Sequence, residues 1–154
     1  MSKVLIVDDS VSKVGTLFAL FRELDSGKRY ELVTAIEPRA ECGDHDDRGT
    51  VLRFLDAGGL EDVVAIFQDK NLSGVEGHEL AREYLRRGFQ GPIIQFTASD
   101  WNWYQADARF QLNLGYTAVF PWGEDVRPEQ VRFMLEHFPE LAPQPSPPPS
   151  CCPG

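Results

Sequence analysis

Acidic and hydroxyl side chains follow three short apolar segments of the chain. Asp8 and Asp9 come directly after the first segment, Asp69 follows the second after one intervening residue, and Thr97 comes directly after the third. If the segments are parallel strands, these groups emerge at one edge of a sheet, where open α/β folds place their sites. Carboxylates brought together there repel one another and bind a hard divalent cation, because Mg²⁺ prefers oxygen ligands. The chemistry indicated is metal-assisted phosphoryl transfer onto or near one of the aspartates.

Strand-like and helix-like segments alternate along the chain. Five short apolar runs have the composition of parallel strands buried on both faces: Lys3–Val7, Tyr30–Ala35, Val63–Phe67, Pro92–Phe96 and Tyr116–Phe120. Apolar residues at helical spacing lie after each run: Val14 to Leu24, Val51 to Leu55, Leu80 to Leu85, Trp103 to Leu114 and Val131 to Phe138. The alternation predicts an α/β fold with a doubly wound five-stranded parallel sheet and helices on both faces.

Length and composition indicate one domain followed by a tail. The 154 residues, 42% of them hydrophobic, suffice for one core. We expect the domain to span residues 1–140 and residues 141–154 to be disordered, since Pro143–Gly154 is rich in Pro and Ser and has little apolar content to bury. The tail's Cys151-Cys152 pair and the isolated Cys42 do not form a disulfide framework.

An acidic insertion, Glu41–Gly49, is longer than a compact α/β connection needs. We expect a solvated loop. The alternative is a second metal cluster, whose ligands would be Cys42, Asp44, His45, Asp46 and Asp47.

The charge and the apolar pattern exclude several classes of partner. A formal net charge of −9 argues against nucleic acid, because phosphate contacts need clustered Lys and Arg. No charge-free apolar stretch is long enough to span a bilayer, and the N-terminus lacks the plan of a secretory signal. We therefore expect a cytoplasmic protein with no membrane contact.

Three motifs in order resemble the response regulator receiver domain of two-component signalling, the CheY-like family. They are VLIVDDS, IFQDKNLSGVEGHEL and QFTAS, and the resemblance covers about Lys3 to Phe138. It implies a flavodoxin-like sheet with strand order 2-1-3-4-5. It also implies a single-domain receiver in a phosphorelay, which accepts a phosphoryl group from a histidine kinase or phosphotransfer protein and signals to a downstream protein partner. Such a domain is a phosphoacceptor rather than an enzyme, capable at most of self-phosphorylation from a donor and autodephosphorylation.

The same resemblance assigns roles to individual residues. Asp69 matches the phosphoacceptor, Thr97 the switch residue, and Ala98 the small neighbour of the phosphate site. The implied cofactor is Mg²⁺ (or Mn²⁺), held by Asp8, Asp9, Asp69 and the backbone carbonyl of Asn71. Asp69 would attack the phosphoryl group in line while the cation neutralises charge on the phosphoryl oxygens.

One family residue has no counterpart at its usual place. The family has a Lys before a Pro at the end of the fifth strand, where this chain reads GYTAVFPWGED. Depending on the alignment, the Lys position is Phe120 or Trp122. We therefore expect the acidic site to lack one positive charge and to depend more strongly on bound metal.

Two other functions compete with the phosphoacceptor hypothesis. A pseudo-receiver would keep the fold and bind a partner without phosphorylation, which the absent Lys favours and the acidic residues disfavour. A metal-dependent phosphatase or FMN protein could use the same sheet. The first loop, however, lacks the phosphate cradle that flavin needs, and Ser10 stands where a haloacid dehalogenase-like phosphatase would carry an Asp.

Overall fold

A computed structural model gives the architecture of the chain. The structure describes residues 2–24, 29–39, 45–69, 71–97 and 118–121. The two helices expected after Thr97 and the Pro-rich tail lie outside the described residues.

The described elements alternate between strands and helices, as the sequence predicts. In chain order they are β1 (Ser2–Val7), α1 (Val11–Leu24), β2 (Tyr30–Thr34), α2 (Asp47–Asp56), β3 (Val63–Asp69), β4 (Asn71–Leu72), β5 (Val75–Glu76), α3 (Gly77–Arg86), β6 (Ile93–Thr97) and β7 (Ala118–Pro121).

Five of the strands form one parallel sheet in the order β2-β1-β3-β6-β7. Counting only these strands, the order is 2-1-3-4-5, which confirms the predicted flavodoxin-like topology. The register sets Asp69 opposite Phe96, and Phe96 opposite Phe120. The ends of β3, β6 and β7 are therefore level, so all three strands finish at one edge of the sheet.

Apolar side chains cover both faces of the sheet. On one face, Leu5 and Val7 of β1 share a buried cluster with Val51 of α2 and with Leu80, Ala81 and Tyr84 of α3. On the other, Phe21 of α1 packs edge-on against Phe67 of β3, with ring centroids 5.3 Å apart. Neighbouring strand residues point to opposite faces, so α1 lies on one face and α2 and α3 on the other. This confirms the prediction of helices on both faces.

The connection between β2 and α2 differs from the expected acidic loop. Helix α2 begins at Asp47, and the side chain of Asp46 caps it by accepting a hydrogen bond of 2.9 Å from the Gly49 amide. The expectation of a loop through Gly49 was wrong at this end, because Asp is a favoured N-cap residue and its carboxylate satisfies an otherwise unpaired amide.

A short antiparallel hairpin, β4–β5, follows Asp69 and was not predicted from the sequence. Its turn contains Gly74 at a φ of 78°, a conformation that favours glycine. The hairpin leads directly into α3, so the chain reverses close to the end of β3.

A buried polar pair anchors the end of β3. The Tyr84 hydroxyl donates a 2.5 Å hydrogen bond to Oε1 of Gln68. The side-chain nitrogen Nε2 of Gln68 donates to the backbone carbonyl of Asp69 at 3.0 Å. Both side chains are fully buried. Because a buried amide must be paired, this contact fixes the backbone at Asp69 against α3.

No helix among the residues that the structure describes is long and apolar enough to cross a membrane.

Candidate functional site

Three carboxylates meet where β1 and β3 end. One ligand oxygen from each of Asp8, Asp9 and Asp69 lies within 4.8 Å of the others, and these residues are called the acidic cluster below. Their convergence follows from the sheet, since Val7 of β1 pairs with Gln68 of β3 and the residue after each belongs to the cluster. Asp8 and Asp69 are buried. The structure thus brings together the three side chains that the sequence predicts to bind metal.

The start of α1 positions a cation beside the cluster. Ser10 caps the helix: its amide donates to Oδ1 of Asp8 at 2.9 Å, and its hydroxyl accepts from the Lys13 amide at 3.3 Å. The capped turn places Lys13 in the first turn of α1, at the edge where the strands end. Its Nζ lies 3.3 Å from Oδ1 of Asp69 and donates a hydrogen bond to it.

Lys13 corrects the expectation that the site lacks a compensating ammonium. The sequence reasoning looked for the cation only at the end of the fifth strand, at Phe120 or Trp122. The structure supplies an ammonium from α1, the helix that follows β1. Strand β1 is the neighbour of β3 on the side away from β6 and β7. The available signal was spacing: Lys13 comes four residues after Asp9, one helical turn beyond the acidic pair.

A second cation, Arg39, lies on the other side of the cluster. Its Nη2 is 3.4 Å from Oδ2 of Asp9, and its guanidinium binds the Asp47 carboxylate through two hydrogen bonds of 2.9 and 3.1 Å. The backbone joins in, because the Arg39 amide donates to the Asp9 carbonyl at 2.7 Å. Sequence reasoning missed this residue.

Asp47 ties the loops around the site together. Its side chain is buried and accepts a 2.8 Å hydrogen bond from the Ser73 amide, in the hairpin that follows Asp69. Burial opposes ionisation of Asp47, but the bonds from Arg39 and Ser73 outweigh it and hold its pKa below the usual value. Asp47 is therefore already ion-paired with Arg39, and this pairing argues against the alternative of a metal cluster in the acidic insertion.

Three further predicted site residues lie in the described elements next to this sheet edge. Asn71 opens β4, two residues after Asp69, and Thr97 is the last residue of β6, beside β3. Phe120 of β7 lies opposite Phe96 of β6, which in turn lies opposite Asp69 of β3. Ala98 and Trp122 lie outside the described residues.

The electrostatics of the acidic cluster favour a bound cation. Burial, reinforced by the neighbouring charge of Asp69, raises the pKa of Asp8 to about 7. Among the residues that the structure describes, ionised Asp8, Asp9, Asp47 and Asp69 carry four negative charges beside the two positive charges of Lys13 and Arg39, an excess of two negative charges. One divalent cation would neutralise them.

The geometry also suits magnesium. Octahedral Mg²⁺ binds oxygens at about 2.1 Å, so opposite ligands lie about 4.2 Å apart. That is the largest separation in the shell, and the three carboxylate oxygens lie within 4.8 Å of one another, which is close to it. The residues present therefore fit the expected cofactor, with Asp8, Asp9 and Asp69 as its candidate ligands.

Comparison with solved structures identifies the fold. The chain is similar to the bacteriophytochrome response regulator RtBRR, with 18% identity over 97% of this chain and 85% of that chain and a TM-score of 0.62. It is also similar to the BeF3-activated N-terminal receiver domain of Klebsiella pneumoniae RstA, with 24% identity, coverages of 88% and 96% and a TM-score of 0.56. The chain has the CheY-like receiver fold.

A third similar structure is the CheX-CheY-BeF3-Mg²⁺ complex from Borrelia burgdorferi, with 16% identity, coverages of 91% and 88% and a TM-score of 0.57. No protein-family model and no curated protein sequence matches the chain. The receiver fold is thus identified through three-dimensional similarity and through the residues at its strand ends.

Loss of the buried pair between Arg39 and Asp47 should destabilise the receiver. Arg39→Met leaves the buried Asp47 carboxylate without its main partner, and we expect the free energy of unfolding to fall by about 2–4 kcal/mol. Arg48→Met is the matched control: its ion pair with Glu79 is exposed, and removing it should cost about 0–1 kcal/mol. Urea denaturation measures the free energy of unfolding of both variants. Equal losses would show that the buried pair of Arg39 contributes no more than the exposed pair of Arg48.

Asp8 should make stability depend on pH. Its pKa is raised in the folded state, so the folded protein holds a proton that the unfolded chain releases near pH 3.8. In metal-free buffer this contribution is complete below the unfolded pKa and is lost as the pH rises through about 7. We expect the melting temperature of the parent to fall from about pH 5 to about pH 8 more than that of Asp8→Asn. Mg²⁺ should stabilise the parent more at the higher pH, because a ligand must be deprotonated. Parallel curves for parent and variant would contradict this.

Proposed function

We propose that this chain is a phosphoacceptor receiver, in which Asp69 accepts a phosphoryl group in a phosphorelay and the phosphorylated domain signals by protein–protein interaction. The observation that carries the proposal is the convergence of Asp8, Asp9 and Asp69 at the strand ends, with the Lys13 ammonium on Asp69. The similarity to receiver structures supports the same function.

In this proposal Asp69 is the nucleophile and Asp8 and Asp9 hold the cofactor. Asp9 is partly exposed and paired with Arg39, whereas Asp69 is the member of the cluster that the Lys13 ammonium contacts. A magnesium ion held by Asp8, Asp9 and Asp69, with the Asn71 carbonyl as a further ligand, would supply positive charge to the phosphoryl oxygens. The protein's part is to position the groups and balance their charge.

The reaction is a transfer to the protein itself. A carboxylate oxygen of Asp69 forms a bond to phosphorus as the bond from phosphorus to the donor breaks, and the donor leaves with that electron pair on its imidazole nitrogen (phosphohistidine) or on its oxygen (acetyl phosphate). The product is an acyl phosphate on Asp69, so the domain is consumed as acceptor rather than turning over a separate substrate. Hydrolysis of that acyl phosphate would reset it.

The partners follow from the chemistry and from the neighbours. A phosphohistidine on a kinase or phosphotransfer protein would supply the phosphoryl group. Thr97 ends β6, the strand beside β3, and its hydroxyl would donate a hydrogen bond to a phosphoryl oxygen. The CheX–CheY structure shows that one receiver of this fold binds a second protein.

The direct test is covalent labelling of the parent. Incubation with acetyl phosphate and Mg²⁺ should add the mass of one phosphoryl group, measured by intact-mass spectrometry, and Asp69→Asn should abolish it. Asp62→Asn is the matched control, since Asp62 is exposed at the opposite end of β3, and this variant should label like the parent.

Labelling that persists in Asp69→Asn would place the nucleophile elsewhere. No label in the parent with acetyl phosphate, and no adduct with beryllofluoride either, would overturn the proposed function and favour the pseudo-receiver.

A further inference from the structure

We propose that Lys13 is the residue of this chain that binds the phosphoryl group on Asp69, so that helix α1 supplies the cation for both the free and the phosphorylated site. The inference rests on the proposed function of Asp69. It assigns to α1 a role that the sequence led us to expect at the end of the fifth strand.

The geometry favours Lys13 because its backbone is fixed while its ammonium is adjustable. The Ser10 hydroxyl binds the Lys13 amide at 3.3 Å, and the Ser10 carbonyl accepts from the Val14 amide at 3.0 Å. The Lys13 side chain is 28% exposed and ends 3.3 Å from a carboxylate oxygen of Asp69 that is itself only 8% exposed. An ammonium has three donors on a flexible four-carbon stem, so it can follow the added phosphoryl oxygens from the same helix position.

Arg39, the other nearby cation, is less able to move. Its guanidinium makes two hydrogen bonds to the buried Asp47 carboxylate, and its contact with the acidic cluster is with Asp9, at 3.4 Å. Turning Arg39 toward Asp69 would leave a buried charge unpaired, which is strongly unfavourable. Among the described residues, Lys13 is therefore the cation placed to reach a group on Asp69.

The negative charge that phosphorylation adds to Asp69 favours a contact with the Lys13 ammonium. Transfer replaces the single charge of the Asp69 carboxylate with a phosphoryl group of about −1.5 to −2, next to Asp8 and Asp9. Lys13 neither gives up nor takes a proton in the step; it donates hydrogen bonds to a phosphoryl oxygen while the bond from phosphorus to the donor's nitrogen or oxygen breaks. Charge-assisted bonds of this kind are among the strongest in proteins.

The proposal predicts opposite effects on the two ligands of the site. Before phosphorylation, Lys13 repels the incoming cation, so removing its charge should strengthen Mg²⁺ binding. During transfer Lys13 stabilises the added negative charge, so its removal should slow labelling. A loss of local structure would weaken both together.

The experiment uses Lys13→Met, which keeps the stem and removes the charge, and Lys13→Arg, which keeps the charge. Calorimetry should show Mg²⁺ binding to Lys13→Met about fivefold tighter than to the parent. Its initial rate of labelling by acetyl phosphate at saturating Mg²⁺, followed by intact mass, should fall about tenfold. Lys13→Arg should retain most of the parent's rate.

Lys3→Met is the matched control for net charge. Lys3 lies on β1 about 17 Å from the site, five strand residues before Asp8, and at that distance its charge is screened in ordinary buffer. Both measurements should therefore match the parent.

Each result has a separate meaning. Tighter Mg²⁺ binding with slower labelling in Lys13→Met supports the proposal. Parent-like values in both assays overturn it while the phosphoacceptor function stands, and weaker Mg²⁺ binding with slower labelling overturns it by showing a structural role. An unlabelled parent would overturn the proposed function and this inference with it.

Discussion

Repulsion among three carboxylates is the constraint on which the site depends. Asp8 and Asp69 are buried, and burial, reinforced by the neighbouring charge of Asp69, raises the pKa of Asp8 to about 7. The parallel sheet imposes this proximity, since adjacent strands β1 and β3 end at the same edge. The fold must then supply positive charge, and it does so with Lys13 and Arg39 while leaving a deficit that suits a divalent cation.

The surrounding loops hold that balance in place. Arg39 binds Asp47, Asp47 accepts the Ser73 amide, and the Ser73 hydroxyl accepts the His45 amide at 2.8 Å. The connection before α2 is thereby joined to the hairpin that follows Asp69. On the other side, the Ser10 cap joins Asp8 to the first turn of α1. Asp69 itself contacts the first turn of α1 through Lys13, and its backbone carbonyl is joined to α3 through Gln68 and Tyr84.

The backbone and the carboxylates could be predicted because they depend on local pattern. The buried strands read as apolar runs, and Asp8, Asp9 and Asp69 were placed together by their positions at strand ends. The cations could not be placed, because their partners depend on packing: Lys13 and Asp69 are 56 positions apart, and their contact requires α1 to lie beside β3. Asp47 was assigned to a solvated loop because acidity alone does not reveal that Arg39 folds over it and buries it. The roles of Thr97 and Asn71 stay predictions.

We propose that the strand-end carboxylates Asp8, Asp9 and Asp69 form one divalent-cation site. A crystal of the protein soaked in Mn²⁺ and measured at the manganese absorption edge tests it directly, because anomalous scattering locates the ion without assumption. We predict a single strong peak bound by Asp8, Asp9 and Asp69, with Lys13 and Arg39 flanking it. A peak in the acidic insertion around Asp46, or no peak at the strand ends at millimolar Mn²⁺, would contradict the account.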